Sequence, residues 1–316
     1  MNELPKEFAE LVEVHNTNKS KEKVGLLLTL TEKDAVKQLL SNLENIILYE
    51  PMGKSLAFNE FTQEIFFKNE PLTDTNINEF RMMVDRKYHV KFTKDDVLSV
   101  MDLVSRRKSF HPIKQVIQSK PWDGVQRVES IFIDYLGVDD NSYTRAVSRK
   151  WMAGAVARIY EPGIKFEMVP IIAGKQGLGK STLFQKLGGD FFTDSLRSLG
   201  TTKDDFQLLI GTWIIELGEL SSMNTTETDQ IKSFVSAKSD KIRLPYAKTT
   251  QTYKRTCVFA GTTNTSQYLN DLTGNRRFLP LPINHKPEKD VFQLKDDTVQ
   301  QLWAAAYQLY KNGATL

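Results

Sequence analysis

Hydrophobic positions along the chain change their spacing several times, and each change marks a different kind of element. Residues 1–37 are charge-rich with one brief apolar patch, VGLLLTL, and predict a loosely ordered lead-in. NIILYE, SLAFNE and EIFFKN then read as short strands, the first two joined by the turn PMGK. Helical spacing follows, with Ile77, Phe80 and Val84 in TNINEFRMMVDRKY. A second helix carries Val97, Val100, Met101 and Val104 behind a capping box formed by Thr93 and Asp96. Residues 1–118 thus predict a small α+β module of winged-helix type, suited to binding DNA or a partner.

HPIKQVIQSKPWDG carries Pro and Gly breakers and reads as a connection. Two helices fill the next stretch, one ending near Gly137 and the other covering SYTRAVSRKWMAGAVARIY. They predict a helical connector over 119–165. Past the turn EPG the pattern alternates between strand and helix. The strand candidates are VPIIAG, TWIIELG, TCVFAGTT and RRFLPLPI, with helices after Lys180 and around 226–237. Such alternation predicts an α/β domain over 166–316, a parallel sheet with helices on both faces. Pro170 must lie at the start of its strand, because it cannot donate to a central ladder. The amphipathic VQQLWAAAYQLYKNG closes the domain with Val299, Leu302, Trp303 and Ala306 on one face.

Composition narrows the setting. At 316 residues, 40% hydrophobic and 26% charged, the chain reads as a soluble globular protein with room for a large core. It has no apolar run of the ~18 residues that a membrane span needs. Its acidic start, MNELPKEFAE, does not resemble a secretory signal. The single cysteine, Cys257, excludes an intrachain disulfide and a cysteine-cluster zinc site, and four scattered histidines make no metal cage. A cytoplasmic protein is expected.

IIAGKQGLGKST is the chemical landmark. Gly174, Gly179, Lys180 and Ser181 satisfy G-x-x-x-x-G-K-[ST], and Gln176, Gly177, Leu178 and Thr182 complete the loop. Glycines allow backbone N–H groups to surround phosphate oxygens, and the following helix directs its positive end at them. ATP with Mg²⁺ is the expected ligand: Lys180 for the β- and γ-phosphates, the Ser181 hydroxyl for the metal. TWIIELGEL supplies two acids, Glu216 on the metal side and Glu219 as the base that activates water, with exchange of these roles left open. Asn264 closes the strand TCVFAGTT, where its amide can meet the γ-phosphate or the attacking water. Arg276 and Arg277, just before RRFLPLPI becomes a strand, are of the type that stabilises transition-state charge across a subunit boundary in ring ATPases.

In series, these segments resemble the virulence-associated protein E family, AAA+ ATPases of phages and mobile islands that are similar to superfamily 3 helicases. The resemblance runs through FHPIKQVIQSKPWDG, VARIYEPGIKFEMVPIIAGKQGLGKST, WIIELGEL, IKSFVSAKSDKIRLPYAK, CVFAGTTN and LNDLTGNRRFLPL, roughly 110–282. It implies a P-loop core, a homo-oligomeric ring such as a hexamer, and a role in replicating the element's DNA in the bacterial cytoplasm. By position it assigns Lys180 and Ser181 to the nucleotide loop, Glu216 and Glu219 to the acidic motif, Asn264 to the sensor, and Arg276 or Arg277 to the finger. Many relatives carry a primase-like region ahead of the ATPase. Here residues of different character stand there, which implies a separate primase or initiator as partner. No clear second sensor arginine follows position 285.

Net charge is only +3, but residues 232–255 concentrate seven basic residues against one acid, Asp240. In a ring of superfamily 3 type this interval faces the central channel. Lys238, Lys241, Arg243 and Lys248, with Tyr246 among them, are suited to sequence-independent contact with single-stranded or forked DNA. Arg106, Arg107 and Lys108 form a second, weaker candidate, since a helix C-terminus favours cations in any case. Three functions fit: an ATP-driven helicase or translocase, an ATP-switched replication initiator, and a P-loop phosphotransferase.

Overall fold

Helical packing extends further toward the N-terminus than residue types alone suggest. The computed structural model describes residues 26–196, 202–218, 225–243, 249–264 and 275–314, with backbone only for 225–229 and for 275. The chain divides into two compact units, one comprising residues up to Phe58 with Glu64–Phe110, the other Asn59–Gln63 with the chain from His111 onward.

In the first unit NIILYE is not a strand. It lies in helix α1 (Leu40–Tyr49), and PMGK forms the short helix α2 (Pro51–Lys54) with Pro51 in the first turn. Leu43, Ile46 and Ile47 fall three and four residues apart, so burying one helical face outweighs the strand preference of isoleucine. Strands β1 (Leu56–Asn59), β2 (Glu64–Phe67) and β3 (Glu70–Pro71) precede helices α3 (Asp74–Tyr88) and α4 (Lys94–Ser105) and strand β4 (Ser109–Phe110). The sheet order is β3-β2-β1-β4. The Thr93–Asp96 capping box is present, and Thr73–Asn76 makes an equivalent one on α3.

After Asn59–Gln63, the second unit continues with α5 (Pro112–Gln118), a helix where the sequence reads as a connection; Ile113 and Ile117 are buried on its inner side. Helix α6 (Ile131–Leu136) ends at Gly137, whose φ of 70° is the left-handed conformation of a helix C-terminus. Helix α7 (Ser142–Tyr160) follows. The main sheet consists of β5 (Val169–Ala173), β6 (Phe192–Thr193), β7 (Ile214–Leu217), β10 (Val258–Thr263) and β11 (Phe278–Pro282), in the order β11-β5-β10-β7-β6. All four neighbouring pairs are parallel. Between them lie α8 (Lys180–Gly188), α9 (Lys203–Leu208), α10 (Thr225–Ser236) and the antiparallel pair β8 (Ser239–Ile242) and β9 (Gln251–Lys254); α11 (Asp296–Lys311) closes the described chain.

Alternate strand residues feed two separate cores, which is why the sheet needs helices on both faces. Ile172, Ile214, Val258, Ala260 and Leu281 join Trp151 of α7, Phe184 of α8 and Trp303 of α11. Val169, Ile171, Ile215, Phe259 and Phe278 join Ile231, Phe234 and Val235 of α10. Helix α7 falls within the expected connector 119–165, yet Trp151, Met152, Ala155 and Val156 belong to the first of these cores. Trp151, Trp213 and Trp303 are buried, and each indole N–H donates to a backbone carbonyl, of Phe259, Ala155 and Leu187 respectively. Pro170 is the second residue of β5, and pairing with β10 begins one residue later, at Ile171.

Candidate nucleotide site

The central strand β5 ends at Ala173, and the chain turns through the glycine loop into α8 beside the C-terminal ends of β10 and β7. Ligands of open α/β sheets bind at such carboxyl ends, where the strand order reverses. Chain order along the sheet reverses here, because β5 has the much later β10 and β11 as its two neighbours. Gly177 and Gly179 hold φ of 85° and 77°, which side-chain-bearing residues rarely adopt. At Gly179 a Cβ would also lie 2.3 Å from Val291 Cγ1. The Gly174 N–H donates to the Thr263 carbonyl at 3.1 Å, tying the loop to the end of β10.

Lys180 is the first residue of α8 and is buried. Its ammonium donates to the carbonyls of Gly174 and Lys175, the latter at 2.9 Å, and to Asn264 Oδ1 at 3.0 Å. Burial lowers the pKa of this ammonium below its usual range, with Glu216 acting in the opposite sense. Asn264 is therefore brought to the loop lysine by its place one residue past β10.

Ser181 Oγ donates to Glu216 Oε1 at 2.7 Å. Glu216 sits on β7 opposite Ala260 of β10, so Thr262, two residues on, faces the same side. The Thr262 hydroxyl also donates to Glu216 Oε1. Glu216 is 3% exposed, and its second oxygen, Oε2, is buried with no hydrogen-bond partner. A buried carboxylate oxygen without a donor is costly unless a cation or a proton meets it. One such oxygen beside a serine hydroxyl is the donor chemistry of a Mg²⁺ that takes its remaining ligands from phosphates and water. Among the described residues no group of three or more His, Cys, Asp or Glu could hold a metal ion. Glu219 lies outside the described residues.

Arg276 and Arg277 do not join this constellation. They precede β11, which pairs with β5 from Phe278↔Val169 to Pro282↔Ala173, so they stand at the opposite end of the sheet from the glycine loop. The length of β5 separates them from it, about 3.3 Å per residue. Arg277 Nε donates to Ser236 Oγ at 2.7 Å and Glu167 Oε2 at 3.2 Å. Arg276 is 74% exposed and reaches Glu167 only at 3.5 Å. Burial raises the Glu167 pKa, but the Ser236 hydroxyl and the Arg277 and Arg276 charges hold it below the usual carboxylate range.

The basic interval begins in the last turns of α10 and contributes two strands, β8 and β9, that pair as a hairpin in the register Ser239↔Lys254 to Ile242↔Gln251. Lys238, Lys241 and Arg243 are exposed, and the last two lie along the strand and at its exit. Tyr246 and Lys248 lie outside the described residues. Two of the seven basic residues are not surface charge at all. Lys232 is buried, and the buried Arg255 makes a two-pronged pair with Asp240 at 2.6 and 2.8 Å beneath Phe234. In the first unit, Arg106 pairs with Asp102, Arg107 with Glu44, and Lys108 donates to the Lys54 carbonyl. Those contacts account for this run as helix-end cations.

Sequence reasoning missed Thr262 and the hairpin. Their only signals were a hydroxyl pair at the end of an apolar strand and a period-two pattern hidden by charge. A family model, the virulence-associated protein E-like domain, matches residues 117–316. Among solved structures, the apo structure of the NrS-1 C-terminal region is 16% identical over 87% of this chain and 69% of its own, with a TM-score of 0.52. An A-form apo structure of the same region is 14% identical over 87% and 68%, with a TM-score of 0.50. At these identities the likeness is one of fold. Comparison with curated proteins finds no match. Among the described residues no helix is long and apolar enough to cross a membrane.

Proposed function

The chain belongs to the virulence-associated protein E-like family, and on that premise we propose that it is an ATP-driven DNA helicase or translocase serving replication of a phage or mobile genetic element. The observation that carries this reading is the convergence of Lys180, Ser181, Glu216 and Asn264 at adjoining strand ends. Lys180 leaves the loop carbonyls to meet the β- and γ-phosphates. Its departure frees the Asn264 amide to orient the attacking water or the γ-phosphate. Mg²⁺ bound through Ser181 and Glu216 would neutralise charge on the phosphates. Glu219 is the remaining acid for activating water.

Arg276 and Arg277 lie too far from their own loop to serve it, which supports a homo-oligomer, a hexameric ring, in which they complete a neighbour's site. The exposed Lys238, Lys241 and Arg243 of the hairpin are the proposed contacts to single-stranded or forked DNA, joined by Tyr246 and Lys248. A separate primase or initiator is the proposed partner, and the bacterial host cytoplasm the proposed location. The deciding experiment measures ATP hydrolysis by wild type and Lys180→Ala, with and without single-stranded DNA, alongside mass in solution and displacement of a forked strand. Unchanged hydrolysis in Lys180→Ala would remove the reading. Hydrolysis without strand displacement would favour an ATP-switched initiator, and a monomer indifferent to DNA would favour a phosphotransferase.

A further inference from the structure

Phe292 is the most exposed large apolar side chain among the described residues, at 60%. A single exposed apolar residue needs no explanation in itself. This one is held in place beside the phosphate loop. It occupies the middle of a 3-10 turn, Val291–Gln293, whose start is fixed by Asp290 Oδ1 accepting from the Phe292 N–H at 2.9 Å. Val291 is buried in the core beneath α8. Lys186, on α8, donates to the Leu294 carbonyl at 3.0 Å and pins the far end of the turn. The ring tip, Cζ, comes within 3.5 Å of where a Cβ on Gly179 would stand. Leu178, the loop residue before Gly179, is itself 37% exposed.

We propose that Phe292, flanked by Leu178, is the platform on which the base of the bound nucleotide stacks. This rests on the proposed nucleotide site and assigns the part of the ligand that the glycine loop cannot hold. The loop and Lys180 address the phosphates alone. Sugar and base project from that polar cradle, and the flat apolar faces of a base gain from an aromatic partner already fixed in place. Stacking is tolerant of base identity because it reads faces and not hydrogen-bonding edges. A purine covers more of the ring than a pyrimidine, so ATP and GTP bind alike and both exceed CTP.

The test compares binding of ATP and of inorganic tripolyphosphate to wild type, Phe292→Ala, Phe292→Trp and Lys180→Ala. Phe292→Ala is expected to weaken ATP about fivefold or more while leaving tripolyphosphate unaffected. Phe292→Trp is expected to retain ATP affinity. Its added emission, taken as the difference from wild type, should be quenched by ATP and not by tripolyphosphate. ATP affinity in Phe292→Ala within about twofold of wild type overturns the assignment. If Lys180→Ala still loses ATP in that case, the phosphate loop stands and only the base platform falls. If Lys180→Ala binds ATP as wild type does, the nucleotide reading falls and the platform with it. The side chain is exposed, so melting temperatures of the Phe292 variants are expected to match wild type.

Discussion

Ser181 and Glu216 are joined by a 2.7 Å hydrogen bond that links the first turn of α8 to the end of β7. The same glutamate oxygen accepts from Thr262, so both hydroxyls crowd one side of the carboxylate and leave Oε2 bare. Thr262 is therefore a positioning residue for Glu216. Thr262→Val is expected to raise the Mg²⁺ concentration needed for half-maximal nucleotide binding several-fold, a loss of ~1 to 2 kcal/mol for one charge-assisted hydrogen bond. Thr262→Ser should restore it. Titrating a fluorescent ATP analogue at varied Mg²⁺ and again in EDTA checks this; equal shifts in both would indicate a merely structural effect.

The two arginines before β11 are expected to separate in their consequences. Arg277 is tied to Glu167 and Ser236, so Arg277→Ala should lower thermal stability by ~1 kcal/mol. Arg276 is largely free of such ties, and Arg276→Ala should leave the melting temperature unchanged while lowering hydrolysis by ~10³-fold, as loss of an arginine finger does. Mixing Arg276→Ala with Lys180→Ala subunits should recover activity, because some interfaces then pair an intact loop with an intact arginine.

On the hairpin, exposed and buried cations are expected to behave oppositely. Lys241→Ala and Arg243→Ala should each weaken single-stranded DNA binding without regard to sequence and reduce the salt slope by about 1. Arg255→Ala leaves Asp240 half-buried without its partner, and should destabilise the fold by ~3 to 5 kcal/mol. Binding isotherms at several salt concentrations, with denaturant melts alongside, separate the two classes.

His111 gives the second unit a pH dependence. Burial, helped by the Lys114 charge, lowers its pKa from 6.5 to about 4, and its ring accepts from the Lys114 N–H at the start of α5. The unfolded chain binds this proton at a higher pH than the folded one, so stability is full above 6.5 and declines as pH falls toward 4. The loss should be on the order of 1 to 2 kcal/mol after allowance for partial exposure. His111→Asn keeps a capping acceptor without the titration, and its stability should be flatter across that window in melts at successive pH values.

What the sequence made legible was whatever has a fixed local period or spacing. The glycine loop, the alternating strands β5, β7, β10 and β11 and the Thr93–Asp96 box all depend on neighbours within a few residues. The misread elements depended on distant partners. NIILYE looks like a strand until Leu43, Ile46 and Ile47 are seen to share one buried helical face. The basic interval looks uniformly solvated until Arg255 is found against Asp240, fifteen residues earlier in the chain. Thr262 gained its role only from a register that sets β10 against β7, which no local pattern encodes.

Strand β10 also has a mechanical meaning. Its C-terminal end delivers Asn264 to Lys180, and its N-terminal end lies just beyond β9, with Arg255 clamped onto Asp240 at the joint. The β8–β9 pair and the amide that meets Lys180 thus stand at opposite ends of one strand, so a shift of that strand along its axis would be felt at both.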